Sequence, residues 1–370
     1  MIAPKQKTAA SVSIWWFAFG YFAAYVPYSA LTKHLSKTKG IAGFELLPIT
    51  VIASFVAMII FLSAMGWWKH AGRRKILGIS VPWPGKWTFL SGVCSAAIIP
   101  TTTLAYTFGG ISIVFMMLLL RGGVLALAPI VDAISGRRVR WFSWIALALT
   151  GGSLFVSFFF GQGSYKMTVA AGIDLAVYLL AYFVRLRFMS RLAKSDDAAA
   201  TTRYFVEEHM SATPVLLLVL GTFAIFGQGA GAEAVSRGFT QFFDHGAAVV
   251  AIALLIGVLS EGTGIFGGLV LLGKQENTYC VPVNRASSLL AGVTASFALA
   301  IFGGGRWPGA PELIGAGMII FAIVVLSVGP ALEKKRKAAL PVPAAEAAPP
   351  QAQTASAGAS EPTDPMRKSG

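Results

Sequence analysis

Ten stretches of about 20 apolar residues follow one another along this chain, each long enough to cross a bilayer's hydrocarbon core as an α-helix. They run over roughly 14–32, 46–65, 88–108, 111–135, 141–160, 168–188, 212–228, 247–272, 278–302 and 311–330. In lipid every backbone N–H and C=O must be satisfied within its own segment or a closed barrel, so this pattern predicts a helical bundle. Composition agrees: only 12% of the 370 residues are charged, where a soluble domain carries about 25%, and mean hydropathy is +0.69. The fold class expected is an all-α integral membrane protein with ten transmembrane helices in two inverted five-helix repeats.

A net charge of +14 could point to nucleic acid, but the basic residues sit in short loops between apolar runs, where they act as topology signals. Nucleic acid is therefore not an expected partner; the bilayer and a small-molecule substrate are, and a homodimer is left open. The N-terminal tail, the loops after the even-numbered helices and the run after the tenth hold 20 Lys and Arg, with Arg185 and Arg187 counted with the end of the sixth helix, against 6 in the other loops. That excess predicts both termini in the cytoplasm, in a bacterial inner membrane. The start, MIAPKQKTAASVSIWWFAFGYFAAYV, competes with a signal peptide, but the run is long, aromatic-rich and without a clear small-x-small cleavage site. Residues 1–13 are read as a cytoplasmic tail, 14–160 and 168–330 as the two repeats, and 338–370, rich in Ala, Pro, Ser and Thr, as a disordered tail.

Cys94 and Cys280 form no disulfide framework and no metal-ligand spacing. No phosphate-binding Gly-Lys loop, nucleophile elbow or HExxH appears, and GQGAG (227–231) lacks a cofactor context. His70, His209 and His245 fall in the loops of this reading. Neither an enzymatic activity nor a cofactor or metal is expected.

Two arginines break the apolar pattern. Arg121 lies in the run 111–134 and Arg285 in 279–302, each 12 residues after the glycine that ends the run before it, Gly109 and Gly273. A charge at bilayer depth costs about 3 kcal/mol or more, so it faces a polar interior, pairs there or binds something. The matched positions suggest one five-helix unit written twice. An odd span count inverts the second copy, as in secondary transporters, whose site lies near the midplane between the repeats.

The ten short helices in a 5+5 arrangement, with MLLLRGGVLALAPIVDAISGRRVRWFSWIALALTGGSLFVSF (117–158) and VPVNRASSLLAGVTASFALAIFGGGRWPGAPELIGAGMIIFAIVVLSV (281–328), resemble the drug/metabolite transporter superfamily over about residues 14–330. Arg121-Gly122 followed by Arg137-Arg138 leans toward nucleotide-sugar-transporter-like branches. The Gly-Glu that EamA-like exporters carry at the end of helix four is replaced by Ser135-Gly136-Arg137. The resemblance implies alternating access, with helices four and nine lining a central cavity.

The expected activity is secondary transport of a small polar anionic metabolite, nucleotide-sugar-like or phosphorylated or carboxylated. An EamA-like, proton-coupled exporter of amino acids or drugs is the alternative, and a membrane enzyme on lipid phosphates a remote one. Arg121 and Arg285 suit an anion. Asn284 and Ser288 flank Arg285, and Tyr25, Tyr106 and Tyr178 are aromatic candidates for the same cavity. Asp174 could meet substrate or pair with Lys166. Glu261 could carry a proton or pair with either arginine; the glycines around it, and Pro100 in the equivalent helix of the first copy, suggest two broken helices. Asp132, beside Arg137 and Arg138, is expected in a salt bridge at the rim.

Overall fold

The computed structural model describes residues 13–76, 78–105, 113–160, 169–194, 197–302, 307 and 309–339. The helices are α1 (Ile14–Thr38), α2 (Gly43–Ala64), α3 (Lys86–Ala105), α4 (Ile113–Ile134), α5 (Trp141–Phe159), α6 (Val169–Leu192), α7 (Ala198–Phe226), α8 (Ala230–Thr240), α9 (Ala247–Leu271), α10 (Asn277–Phe302) and α11 (Ala310–Ala339). A two-stranded antiparallel hairpin, β1 (Arg73–Ile76) and β2 (Ile79–Pro82), joins α2 to α3. Among the described residues each of the ten apolar stretches forms a helix over most of its length, and α8 is additional.

Among the described residues, five helical segments are long and apolar enough to cross a membrane by length and composition: Gly43–Ala64, Ala198–Phe226, Ala247–Leu271, Asn277–Phe302 and Leu313–Arg336. Large apolar side chains such as Trp16, Phe19, Ile60, Leu180, Ile225 and Phe321 stand on the outside, while Arg121, Asp132, Asp174, Glu208, Glu261 and Arg285 are buried. An apolar exterior around a polar interior is the arrangement of a protein whose surroundings are lipid.

Within residues 1–329, α1 packs on α9 and α10, α6 packs on α3 and α4, α2 crosses α9, and α3 crosses α7. Small residues set these distances, since helices in lipid associate by close packing. A Cβ at Gly257 of α9 would lie 2.5 Å from Cβ of Ala53 on α2, and one at Gly92 of α3 would lie 2.5 Å from Cβ of Ser211 on α7. The second unit, Pro330–Gly370, is described only over the end of α11, where Lys334, Lys335 and Arg336 are exposed. All but the first two residues of the expected tail lie outside the described residues.

Two breaks expected from sequence are absent. The α3 helix continues through Pro100, with Thr101 Oγ1 donating to the carbonyls of Ala97 and Ile98 and Thr102 Oγ1 donating to that of Ile98. The hydroxyls thus hydrogen-bond carbonyls in the turn before Pro100, the tolerance of proline expected in lipid. The α9 helix runs unbroken past Glu261; its glycines serve packing, Gly262 beside Ala24 and Gly267 beside Tyr21, both on α1. Polar residues also extend α7: residues 198–211, expected as loop, are helical. His209 is therefore a buried helical side chain stacked on Phe205, their rings 4.0 Å apart.

Candidate functional site

The two arginines meet. Each is the ninth residue of its helix, Arg121 in α4 and Arg285 in α10, and these helices pack together. Arg121 Nη1 donates to Ser288 Oγ at 2.8 Å and Nη2 donates to the Tyr25 hydroxyl at 2.7 Å. Ser288 Oγ in turn donates to the Arg285 carbonyl at 2.9 Å. One serine thereby links the Arg121 guanidinium to the Arg285 backbone.

Aromatic rings wall both cations. The Arg121 guanidinium lies 5.5 Å from the Tyr25 ring centroid, and that of Arg285 lies 4.9 Å from the centroid of Tyr182. Each geometry is within the range of a cation–π contact, worth about 2 kcal/mol when desolvated. Tyr21 and Tyr25 on α1, with centroids 5.6 Å apart, oppose Tyr178 and Tyr182 on α6, with centroids 4.8 Å apart.

Both arginines are 5% exposed, yet they are used differently. The Arg285 Nε and Nη2 atoms are buried with no hydrogen-bond partner among the described residues. These two atoms form one edge of the guanidinium, the fork that grips a carboxylate or phosphate through parallel hydrogen bonds. Leaving charged donors buried and unsatisfied costs more than about 1–3 kcal/mol, and a planar oxyanion has the geometry to satisfy both atoms.

The other candidates divide. Tyr25, Tyr178 and Ser288 belong to this cluster. Asn284 donates to the Gly267 carbonyl and ties α10 to α9. Asp174 is buried on α6 with neither oxygen hydrogen-bonded among the described residues, and at i, i+4 and i+8 it shares a helix face with Tyr178 and Tyr182. Glu261 is buried in α9 with Oε1 unpartnered, and no ion pair joins it to Arg285 among the described residues. Tyr106 and Lys166 lie outside the described residues. Sequence reasoning missed Tyr182, although Asp174, Tyr178 and Tyr182 recur at helical spacing.

A second buried network, also missed, joins α3, α6 and α7. Glu208 pairs with Arg185, 2.6 Å from Nε, and accepts hydrogen bonds from Ser91 and Ser95. In the sequence Arg185 counts only toward the charge at the end of the sixth helix. The adjacent Glu207 points the other way, accepting from the Gly72 and Gly85 amides and from Thr88.

Asp132 corrects a further expectation. Among the described residues it makes no rim salt bridge; it caps α10 from α4. Oδ1 accepts from Asn277 N and Nδ2, and Oδ2 accepts from Thr278 N and Oγ1. The orphan amides at a helix start and the positive end of its dipole make a carboxylate the fitting partner. Arg137 instead donates to the Lys194 carbonyl at 2.6 Å, and Arg140 bridges to Glu276 at 2.9 Å. Burial disfavours the charged form of Glu276, but hydrogen bonds from Arg140 and Ser143 outweigh it and hold the carboxyl below its ordinary range. Its contribution is thus present at neutral pH and lost as pH falls through that lowered value. Asp132→Ala strands two helix-start amides and is expected to destabilise the protein by about 3 kcal/mol. Thermal unfolding in detergent checks this, and an unchanged midpoint would refute the cap.

These features define a helical, membrane-embedded protein with a buried cationic and aromatic site. No family model and no curated protein matches the chain. A solved structure described only as "Crystal structure of protein" is similar in fold, with 13% identity and a TM-score of 0.51 over 87% of this chain and 98% of that one. That likeness concerns the fold alone.

Proposed function

We propose that this protein is a secondary transporter of a small anionic metabolite, built like members of the drug/metabolite transporter superfamily. It has ten spans in two inverted repeats, with both termini in the cytoplasm. The unfilled Nε and Nη2 edge of Arg285, buried beside Arg121, carries the reading. It calls for a carboxylate or phosphate, gripped bidentately by Arg285 with Arg121 adding positive potential.

The helix pairing supports two related halves. Exchanging α1, α2, α3 and α4 with α6, α7, α9 and α10 turns the contacts of α1 with α9 and α10 into those of α6 with α3 and α4. It also turns the Gly257 crossing of α9 on α2 into the Gly92 crossing of α3 on α7. The same exchange carries Tyr25 stacked by Arg121 onto Tyr182 stacked by Arg285. A site built from both halves along such an axis is what alternating access requires.

Glu261 and Asp174 are the candidates for proton coupling, as buried carboxylates that no ion pair neutralises among the described residues. Exchange without coupling uses the arginine pair alone. The proposal is tested by thermal shift of the purified protein against nucleotide-sugars, phosphosugars, amino acids and cationic drugs. Stabilisation confined to the anionic compounds is expected. Stabilisation by cationic drugs alone would favour the exporter reading and overturn this one.

A further inference from the structure

We propose that the β1–β2 hairpin is a docking surface for anionic phospholipid headgroups, which tie the α2–α3 connection to the membrane surface. Its charge is one-sided. Between residues 66 and 90 stand Lys69, Arg73, Arg74, Lys75 and Lys86 with no Asp or Glu, and all five side chains are exposed.

The strand register sorts these residues. Arg74 pairs with Val81 and Ile76 with Ile79, so these four share one face; Arg73 pairs with Pro82 and Lys75 with Ser80 on the other. The first face therefore has a basic root and an apolar tip, with Ile79 68% exposed. Arg74 stacks 5.5 Å over Trp83, and Trp83 and Trp87 are themselves exposed. Exposed isoleucine and tryptophan beside clustered cations fit an interface where apolar side chains enter the acyl boundary and cations meet phosphates.

The hairpin is also held in place. Two strands alone are marginal in water, and here Glu207 of α7 clamps both ends, accepting from Gly72 N at 2.9 Å and Gly85 N at 2.8 Å. Trp83 N closes the base on the Gly72 carbonyl at 2.6 Å. A buried carboxylate thus fixes a short sheet whose outward groups are cationic and apolar. An anionic bilayer surface complements both, and only a short 3-10 turn, Trp67–His70, separates the hairpin from a helix long and apolar enough to cross the membrane.

The test uses the full-length protein in neutral detergent, with phosphatidylglycerol or phosphatidylcholine added and thermal unfolding recorded. Phosphatidylglycerol is expected to raise the midpoint and phosphatidylcholine to do much less. The triple change Arg73→Gln, Arg74→Gln, Lys75→Gln should weaken apparent phosphatidylglycerol affinity on the order of tenfold or more, while Lys334→Gln, Lys335→Gln, Arg336→Gln should not. Should the triple variant fold poorly, Arg73→Lys, Arg74→Lys must keep the lipid response. An equal response to both lipids, a shift reproduced by inorganic phosphate, or full retention in the triple variant would overturn the proposal.

Discussion

Replacing Arg285 with alanine is expected to abolish binding of anionic ligands while leaving the protein folded. The two consequences separate because of where its donors point. Nε and Nη2 have no protein partner among the described residues, so their removal relieves a buried, unsatisfied edge, which offsets the lost contact with the Tyr182 ring. Loss of a buried, hydrogen-bonded charge contact costs about 3 kcal/mol in binding, or on the order of 100-fold in affinity. Arg285→Lys should recover little, since an ammonium keeps the charge and loses the planar fork. Ligand-induced thermal shift and the unliganded midpoint, read on the same samples, check both halves. A variant that unfolds would show the guanidinium to be structural; one that still binds would remove it from the site.

The second large effect falls on stability. Glu208→Ala leaves Arg185, hydrogen-bonded to it through Nε at 2.6 Å and buried, without its counter-charge, and breaking such a pair costs about 3–5 kcal/mol. Ser91 and Ser95 lose their acceptor in the same change. Folded yield should fall sharply. The double variant Arg185→Met, Glu208→Met should recover much of it, because apolar replacement of a whole buried pair is often neutral. Fluorescence-detected size exclusion measures the yield, and a stable Glu208→Ala protein would contradict the account.

The arginines were legible because nothing else explains a guanidinium in the middle of 20 apolar residues. What the sequence concealed was tertiary. Glu207, Glu208 and His209 read as loop because they precede an apolar run, yet the hairpin base, helices α3 and α6, and helix α9 supply their surroundings. Asp132 looked like the partner of the nearest arginines in sequence, while the amides that need it start a helix 145 residues away. The glycines of α9 looked like a hinge, but α1 and α2 lie where their side chains would be. The hairpin strands, four residues each, are too short to show a period of two.

The most direct test of the central claim is counterflow in proteoliposomes. Vesicles holding purified protein and an unlabelled nucleotide-sugar or phosphosugar are diluted into the same labelled compound, for the unaltered chain and for Arg285→Ala. The account expects saturable accumulation of at least one anionic compound by the unaltered protein and none by the variant. Equal accumulation by both, or accumulation of cationic drugs alone, would contradict it.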